Sequence, residues 1–496
     1  MRIVILGAGP TGLSAAWRLQ EHGHHDWMLL ESSDRPGGLS MSVKDDAGFT
    51  WDLGGHVIFS HWKYFDRLLV QALGDQWVEH QREAWVWMRE RWIPYPFQNN
   101  IWRLPPDELV KCLAGLVEAH RAPNGEPPRT FADWLQRSFG SGLCETFMYP
   151  YNLKVWAYPP SALGVGWMGE RVAPVDLARI LSNLVHRKDD VSWGPNATFR
   201  FPLRGGTGAI SDAIAGAARA AGVEIRTQAA VSRILVRGNR AEGVVLENGD
   251  ELRAHTVVSS LDPRQTFLSL VGDEALPDEF TSDIKRYKFR GSSGKVNLAL
   301  GELPNFTCLP GVGPHLRGAI SISPSIAYLE RAYDDAKYGA FSREPYMDVI
   351  IPSMIDPHMA PPGKHVMSIF VQYAPYHLNG GWTDERREAF GDTVIETLTR
   401  YAPNLKGAIL HRQVITPADI EQITGLTEGN IFQGELALHQ LFFLRPAPRW
   451  AKYRTPIRRL YQCGSGTHPG GGISGLPGYY AAKKILQNWP RQTDRP

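Results

Sequence analysis

In RIVILGAGPTGLSAAWRLQEHG, residues 2–23, a short β-branched and aliphatic run leads into Gly7-x-Gly9-x-x-Gly12, and a helical pattern follows that stops near Gly23. Each glycine has its own task. Gly7 permits the tight turn, Gly9 lets a pyrophosphate approach the backbone, and Gly12 allows the helix to pack closely on the strand. The start of the helix adds unpaired N–H groups and a partial positive charge. A second strand, WMLLE, ends in Glu31, where a carboxylate would accept the hydroxyl hydrogens of an adenosine ribose. Strand, turn, helix, strand and acid therefore stand in the order that dinucleotide binding requires.

The continuation ESSDRPGG places Arg35, Gly37 and Gly38 just after that acid. This resembles the double-glycine extension of FAD-binding oxidoreductases, which ordinary NAD dehydrogenases lack, and it implies non-covalent FAD. A later run, residues 222–260, reads as short strands with a turn at Asn248-Gly249; by the same resemblance the backbone near Val231 flanks the adenine. Near the other end of the chain, YQCGSGTHPGGGISGLPGYY, residues 461–480, again runs strand, glycine turn, helix. That shape brings backbone N–H groups to a flavin ring and its ribityl phosphate, with Gly464 and Gly472 as the candidate contacts. One extended cofactor is thus expected to be held from both ends of the sequence.

Composition sets the limits on other functions. The 496 residues carry a formal charge of +2, so nothing electrostatic argues for nucleic acid or an anionic membrane surface. Hydrophobic residues at 43% and charged ones at 21% suit a soluble globular protein. Cys112, Cys144, Cys308 and Cys463 are widely spaced and suggest neither a metal site nor a disulfide framework. No apolar run is long enough to span a bilayer and the first strand begins at residue 2, so a cytoplasmic protein without an integral membrane segment is expected.

The expected fold is α/β: a Rossmann-like FAD-binding domain of glutathione-reductase type, as in amine oxidases and mutases, with an inserted α+β substrate domain. The FAD-binding domain is expected to be discontinuous, over 1–60, 205–275 and 455–496. The remainder, 61–204 and 276–454, would form the substrate domain, the first insert mainly helical and the second alternating strands such as GKVNLAL with helices. Ten of the sixteen tryptophans fall between 61 and 204, as core or as the lining of a pocket, and HRKDD, residues 186–190, reads as a solvated turn.

Two resemblances bear on chemistry. GGHVIFSHWKYF, PYPFQNN, MYPYNLKVWAYP, GERVAP and WGPNATFRFPLRGGTG, all before residue 209, resemble UDP-galactopyranose mutases of the eukaryotic type. From there onward VVSSLDPRQTFLSLVG, GKVNLALGELPNFT, YLERAYDDAKYG, PPGKHVMSIFVQYAPY and CGSGTHPGGGISG resemble the phytoene-desaturase-related flavoproteins, including the pyridine nucleotide-disulfide oxidoreductase domain type. The change near Gly206 reads as a chimeric joining of two subfamilies. The mutase resemblance implies that Gly55 and His56 lie beside the flavin. It further implies that Tyr95, Gln98, Phe147, Asn152 and Trp156 hold a uridine, that Arg171 neutralises a diphosphate, and that Asn196 binds at the sugar end. A planar guanidinium fork suits that diphosphate. The implied reaction is a ring interconversion of a UDP-sugar on reduced flavin, with an external reductant such as NADPH. The second resemblance implies instead an oxidoreductase that takes hydride from an apolar or amine-bearing substrate.

Overall fold

The computed structural model describes residues 2–55, 62–81, 83–122, 126–156, 159–165, 172, 176–191 and 198–489, apart from the side chains of 154–156, 199 and 438. Strand β1 (Ile3–Leu6) lies between β2 (Trp27–Leu30) and β13 (Thr256–Ser259), and β9 (Glu224–Arg226) and β19 (Leu460–Gln462) complete a parallel sheet in the order β19-β13-β1-β2-β9. β1 is buried on both faces, which is why IVIL is continuously apolar rather than alternating. Ile3 and Ile5 pack against the helices Pro10–Glu21, Lys63–Leu73, Gly208–Ala220 and Leu476–Gln487. Val4 and Leu6 face the antiparallel sheet of β10 (Val231–Arg237), β11 (Arg240–Leu246) and β12 (Glu251–Arg253).

A second sheet has seven strands in the order β18-β14-β17-β16-β15-β6-β7. They are β6 (Ala84–Met88), β7 (Arg91–Pro94), β14 (Ser293–Leu300), β15 (Ala319–Ile322), β16 (Tyr346–Ile350), β17 (His365–Gln372) and β18 (Ile409–Ile415). The first insert is thus less purely helical than its pattern suggests. It contributes β6 and β7 to this sheet, and β5 (Trp77–Gln81) and β8 (Thr198–Pro202) pair with each other. Its helices Pro106–Arg121 and Phe131–Leu143 cross where Gly115, Gly140 and Gly142 allow backbone contact: a Cβ on Gly140 would fall 2.0 Å from Gly115 O. β3 (Ser42–Lys44) and β4 (Thr50–Asp52) form a small hairpin.

The period of two sorts the large sheet into unlike faces. Val296, Leu298, Met347, Val349, Ile369 and Val371 lie in one core with Phe390 and Leu398 of the helix Asp384–Thr399. Trp85 and Trp92 join that core, so these two of the ten tryptophans are packing rather than a pocket wall. The opposite face carries Lys295, Asn297, Ser368, Phe370, Asp348 and Ser321, an unusual density of polar groups for a sheet interior.

Candidate active site

Because the strands of the first sheet run parallel, the turn after β1, Glu31 after β2, Ser260 after β13 and Gly464 after β19 gather at one edge. Gly7 sits at φ +87°, and a Cβ there would come 2.6 Å from Ser260 Oγ. A Cβ on Gly12 would fall 2.0 Å from Gly7 O, so the helix packs on its own turn only because residue 12 has no side chain. Gly9 is the N-cap of the helix Pro10–Glu21, and no side chain caps the exposed amides. A Cβ on Gly9 would meet nothing closer than Gly37 O at 3.9 Å, and one on Gly38 would lie 3.5 Å from Gly9 Cα. The two glycine turns thus form the walls of an open backbone cradle in front of uncapped amides, which fits a pyrophosphate.

The Glu31 carboxylate is held in place: Oε2 accepts from Ala8 N at 2.7 Å, and Oε1 accepts from Ser33 N at 3.0 Å and Ser33 Oγ at 2.9 Å. Ala229 N donates to Glu31 O at 2.8 Å, which brings Val231 on β10 close to the same edge. Arg35 points to solvent and pairs with Asp34 at 3.2 Å, so its side chain is not among the groups lining the cradle. In the tail, Gly464 N lies in a turn whose Cβ position is blocked by Gln433 Oε1 and Ser260 O, whereas a Cβ on Gly472 would meet nothing within 4 Å. The helix Leu476–Gln487 then packs on the first helix, where a Cβ on Gly478 would come 1.9 Å from Thr11 O. The two glycine clusters, far apart in sequence, are neighbours.

The cradle leads to the polar face of the large sheet. Beyond Gly38, Leu39 packs under Gly54, whose Cβ position lies 2.5 Å from Leu39 O, and Gly55 is exposed with open space before it. From β14, Lys295 reaches across to donate from Nζ to Asp52 O and, at 2.5 Å, to Gly54 O. Burial pushes this amine down from the ordinary lysine value to about 8, an effect partly offset by the Asp52 carboxylate. The sequence reading missed Lys295. Its signal was the alternation of Lys295 and Asn297 with Val296 and Leu298 in one strand, a polar stripe where a buried strand should have none.

The remaining expected residues fall differently. Tyr95, Gln98, Phe147 and Asn152 are all buried inside the helical insert. Phe147 stacks on Phe97, with centroids 4.2 Å apart, and on Tyr151 at 5.1 Å, and the Asn152 amide donates to Met148 O at 2.7 Å. These rings are engaged with one another, and Phe147 and Tyr151 also line a cavity of about 280 Å³. His56, Arg171 and Asn196 lie outside the described residues, as does the Trp156 side chain. HRKDD is more than a solvated turn: Asp190 is buried, accepts from Arg179 Nη2 at 2.8 Å, and its amide donates to Asn100 Oδ1 at 2.8 Å. It pins the Asn99-Asn100 segment, and that partnership across ninety residues is not visible locally.

The family model described as flavin containing amine oxidoreductase matches residues 10–476. The chain belongs to this family. As an amine-oxidoreductase-type flavoprotein it is an enzyme, its cofactor is FAD, and the glycine cradle with its anchored acid accommodates that group. It is 41% identical over 295 residues to the pyridine nucleotide-disulfide oxidoreductase domain-containing protein 2 of Rattus norvegicus, a match covering 58% of this chain and 51% of that protein, so the chain spans about half the length of this relative. It is 26% identical over 518 residues to a lycopene-forming phytoene desaturase of Pseudescherichia vulneris, covering 96% of each. The structure of reduced UDP-galactopyranose mutase superimposes with a TM-score of 0.68 at 29% identity, covering 99% of this chain and 97% of that one. The family, desaturase and mutase matches each cover both sides of Gly206, which gives the expected division there no support. Thr207 N donates to Asp52 Oδ1 at 3.0 Å and Gly208 N to Ser42 Oγ at 2.8 Å, so the segment is bonded into the N-terminal hairpin. No helix among the described residues is long and apolar enough to cross a membrane.

Proposed function

We propose that the protein is an FAD-dependent oxidoreductase that takes hydride from a small organic substrate lying on the polar face of the seven-stranded sheet. Lys295 is the observation that carries this reading. FAD, when bound, supplies the hydride acceptor. Two Nζ hydrogens of Lys295 are given to the carbonyls of Asp52 and Gly54. In its neutral form the amine keeps a lone pair for the proton that leaves with the substrate's hydride, and its lowered pKa makes that form accessible just above neutrality.

The reading assigns FAD contacts to Gly7, Gly9, Gly12, Glu31, Gly37, Gly38, Gly55, Val231, Gly464 and Gly472. It also divides the chain into an FAD unit (1–60, 205–275, 455–496) and a substrate unit (61–204, 276–454). That division is supported by the strands of the parallel sheet coming wholly from the first set and those of the seven-stranded sheet wholly from the second. We place the enzyme in the cytoplasm. The test is anaerobic mixing of the oxidised holoenzyme with apolar amines and alcohols. Loss of the visible flavin band on mixing supports the reading, and an unchanged band with every such compound counts against it.

A second reading, a UDP-galactopyranose-mutase-like isomerase, is favoured by the whole-chain likeness to the reduced mutase. In it Tyr95, Gln98, Phe147, Asn152 and Trp156 hold the uridine, His56, Arg171 and Asn196 serve the diphosphate sugar, and NADPH keeps the flavin reduced. Interconversion of the two ring forms of UDP-galactose by reduced protein, with no electron acceptor consumed, would establish it.

A further inference from the structure

Resting on the reading of the protein as a flavin oxidoreductase, we propose that Arg445 is a positioning residue for the flavin: it ties an irregular loop to the turn after β19, and the positive charge it keeps buried there makes the bound FAD easier to reduce. Arg445 is 1% exposed. Its guanidinium serves backbone oxygens alone. Nε donates to Ser465 O at 3.0 Å, Nη1 to Gln440 O at 3.3 Å and Glu435 O at 3.4 Å, and Nη2 to Phe432 O and, at 3.5 Å, to Gly434 O. Among the described residues no carboxylate pairs with it; its ionisable neighbour is Tyr287, whose ring centroid lies 5.8 Å from Cζ. The acids nearby are engaged elsewhere: Glu435 with Arg290 at 2.8 Å, Glu428 with Arg264 at 3.0 Å, and Asp262 with Thr427 N at 2.9 Å.

The loop gathered in this way, residues 426–444, contains only short 3₁₀ turns, and Glu428, Gln433 and Phe442 within it hold positive φ of 54°, 54° and 51°. Such a backbone persists only where its surroundings dictate it, and carbonyls converging on one cation do so. Gln433 fastens the same loop a second time: Oε1 accepts from Gly466 N at 2.8 Å and Nε2 donates to Ser260 O at 3.2 Å. Ser465, the acceptor of Arg445 Nε, follows Gly464, which the oxidoreductase reading sets against the flavin, and a Cβ on Gly464 would come 2.5 Å from Ser260 O. The cation thus stands at the sheet edge where the cofactor turns gather. Burial lowers the pKa of Arg445, but an arginine keeps its proton in proteins. The carbonyl dipoles offset the cost of burying it without cancelling its net charge. In low-dielectric surroundings that charge reaches farther than one at the surface, and it favours the negative charge that reduction places on a flavin.

The test is the midpoint potential of the bound flavin, measured on FAD-saturated protein by equilibration with a reference dye from pH 6 to pH 10. Arg445→Gln should lower the equilibrium ratio of reduced to oxidised flavin about 10-fold or more, roughly 30 mV for a two-electron couple. Arg445→Lys should match the wild type at the acid end and fall below it as pH rises, because a buried lysine sheds a proton that arginine keeps. Lys295 is present in all three proteins, so its own titration cancels in the comparison. Arg445→Gln at the wild-type potential, or Arg445→Lys displaced as far as Arg445→Gln over the whole pH range, would overturn the proposal. Where Arg445→Gln does not fold, the lysine variant decides alone, and a curve parallel to that of the wild type overturns it. The reduction is chemical and needs no substrate, so the two readings fail separately. A flavin that no amine or alcohol bleaches sinks the oxidoreductase while the shift in potential stands; an unshifted potential in a protein that such a compound does bleach sinks only the role of Arg445.

Discussion

Replacing Lys295 with methionine removes a buried amine while keeping most of the volume of its stem. Burial displaces this group from 10.5 to about 8, which corresponds to roughly 3 kcal/mol of preference for the neutral form. Below pH 8 both folded and unfolded chains hold the proton, and the folded chain bears the cost of a buried charge. Between about 8 and 10.5 the unfolded chain keeps a proton that the folded chain has shed, so stability rises with pH across that window. The variant has no such group. The carbonyls of Asp52 and Gly54 lose their donor in it at every pH, a constant offset of about 1–3 kcal/mol that the comparison cancels. Denaturant unfolding of the flavin-free protein should therefore show wild type gaining about 2–3 kcal/mol on the variant between pH 7 and pH 10. Stability curves that stay parallel over that range would mean that the amine is solvated or fully ion-paired, and the role given to Lys295 would go with them.

Other perturbations probe other parts of the account. Gly9→Val should leave a folded, colourless protein, because its side chain enters the open cradle and not the core; a yellow variant with wild-type flavin content would contradict the cradle. Asp190→Ala should lower stability by about 2–3 kcal/mol through the loss of its side-chain bonds to Arg179, Asn99 and Asn183, with flavin content unchanged. Phe147→Ala should destabilise by about 3–5 kcal/mol as a buried, doubly stacked ring, measured by thermal unfolding; a variant of native stability would argue for an open nucleotide shelf.

What could be read from the sequence was what is local. The glycine turn, Glu31 and the tail cluster announce themselves through spacing, and the parallel sheet follows from them because a strand, helix, strand unit has few ways to fold. The helices of the first insert are legible from their apolar period, but β6 and β7 are short, and nothing nearby shows that they extend a sheet whose other strands begin only at Ser293. Asp190 looked like a surface charge because its partners Asn99 and Asn100 are remote. Lys295 and Asp348 each look like a lone charge in a strand; only the register sets them two strands apart on one face. The uridine set was transferred from a resemblance in which side chains are named one by one, and the packing of Phe97 and Tyr151 on Phe147 is not contained in any such list.

The most direct test of the central claim follows the flavin itself. Oxidised holoenzyme and its Lys295→Met variant are mixed anaerobically with octylamine, octanol and UDP-galactose over a range of pH while the visible flavin band is recorded. The account predicts that the amine or the alcohol bleaches the wild-type band, at a rate that rises through pH 8 as Lys295 loses its proton, and that the variant is slower and lacks this rise. A band unmoved by the amine and the alcohol, together with ring interconversion of UDP-galactose by the reduced protein, would contradict it.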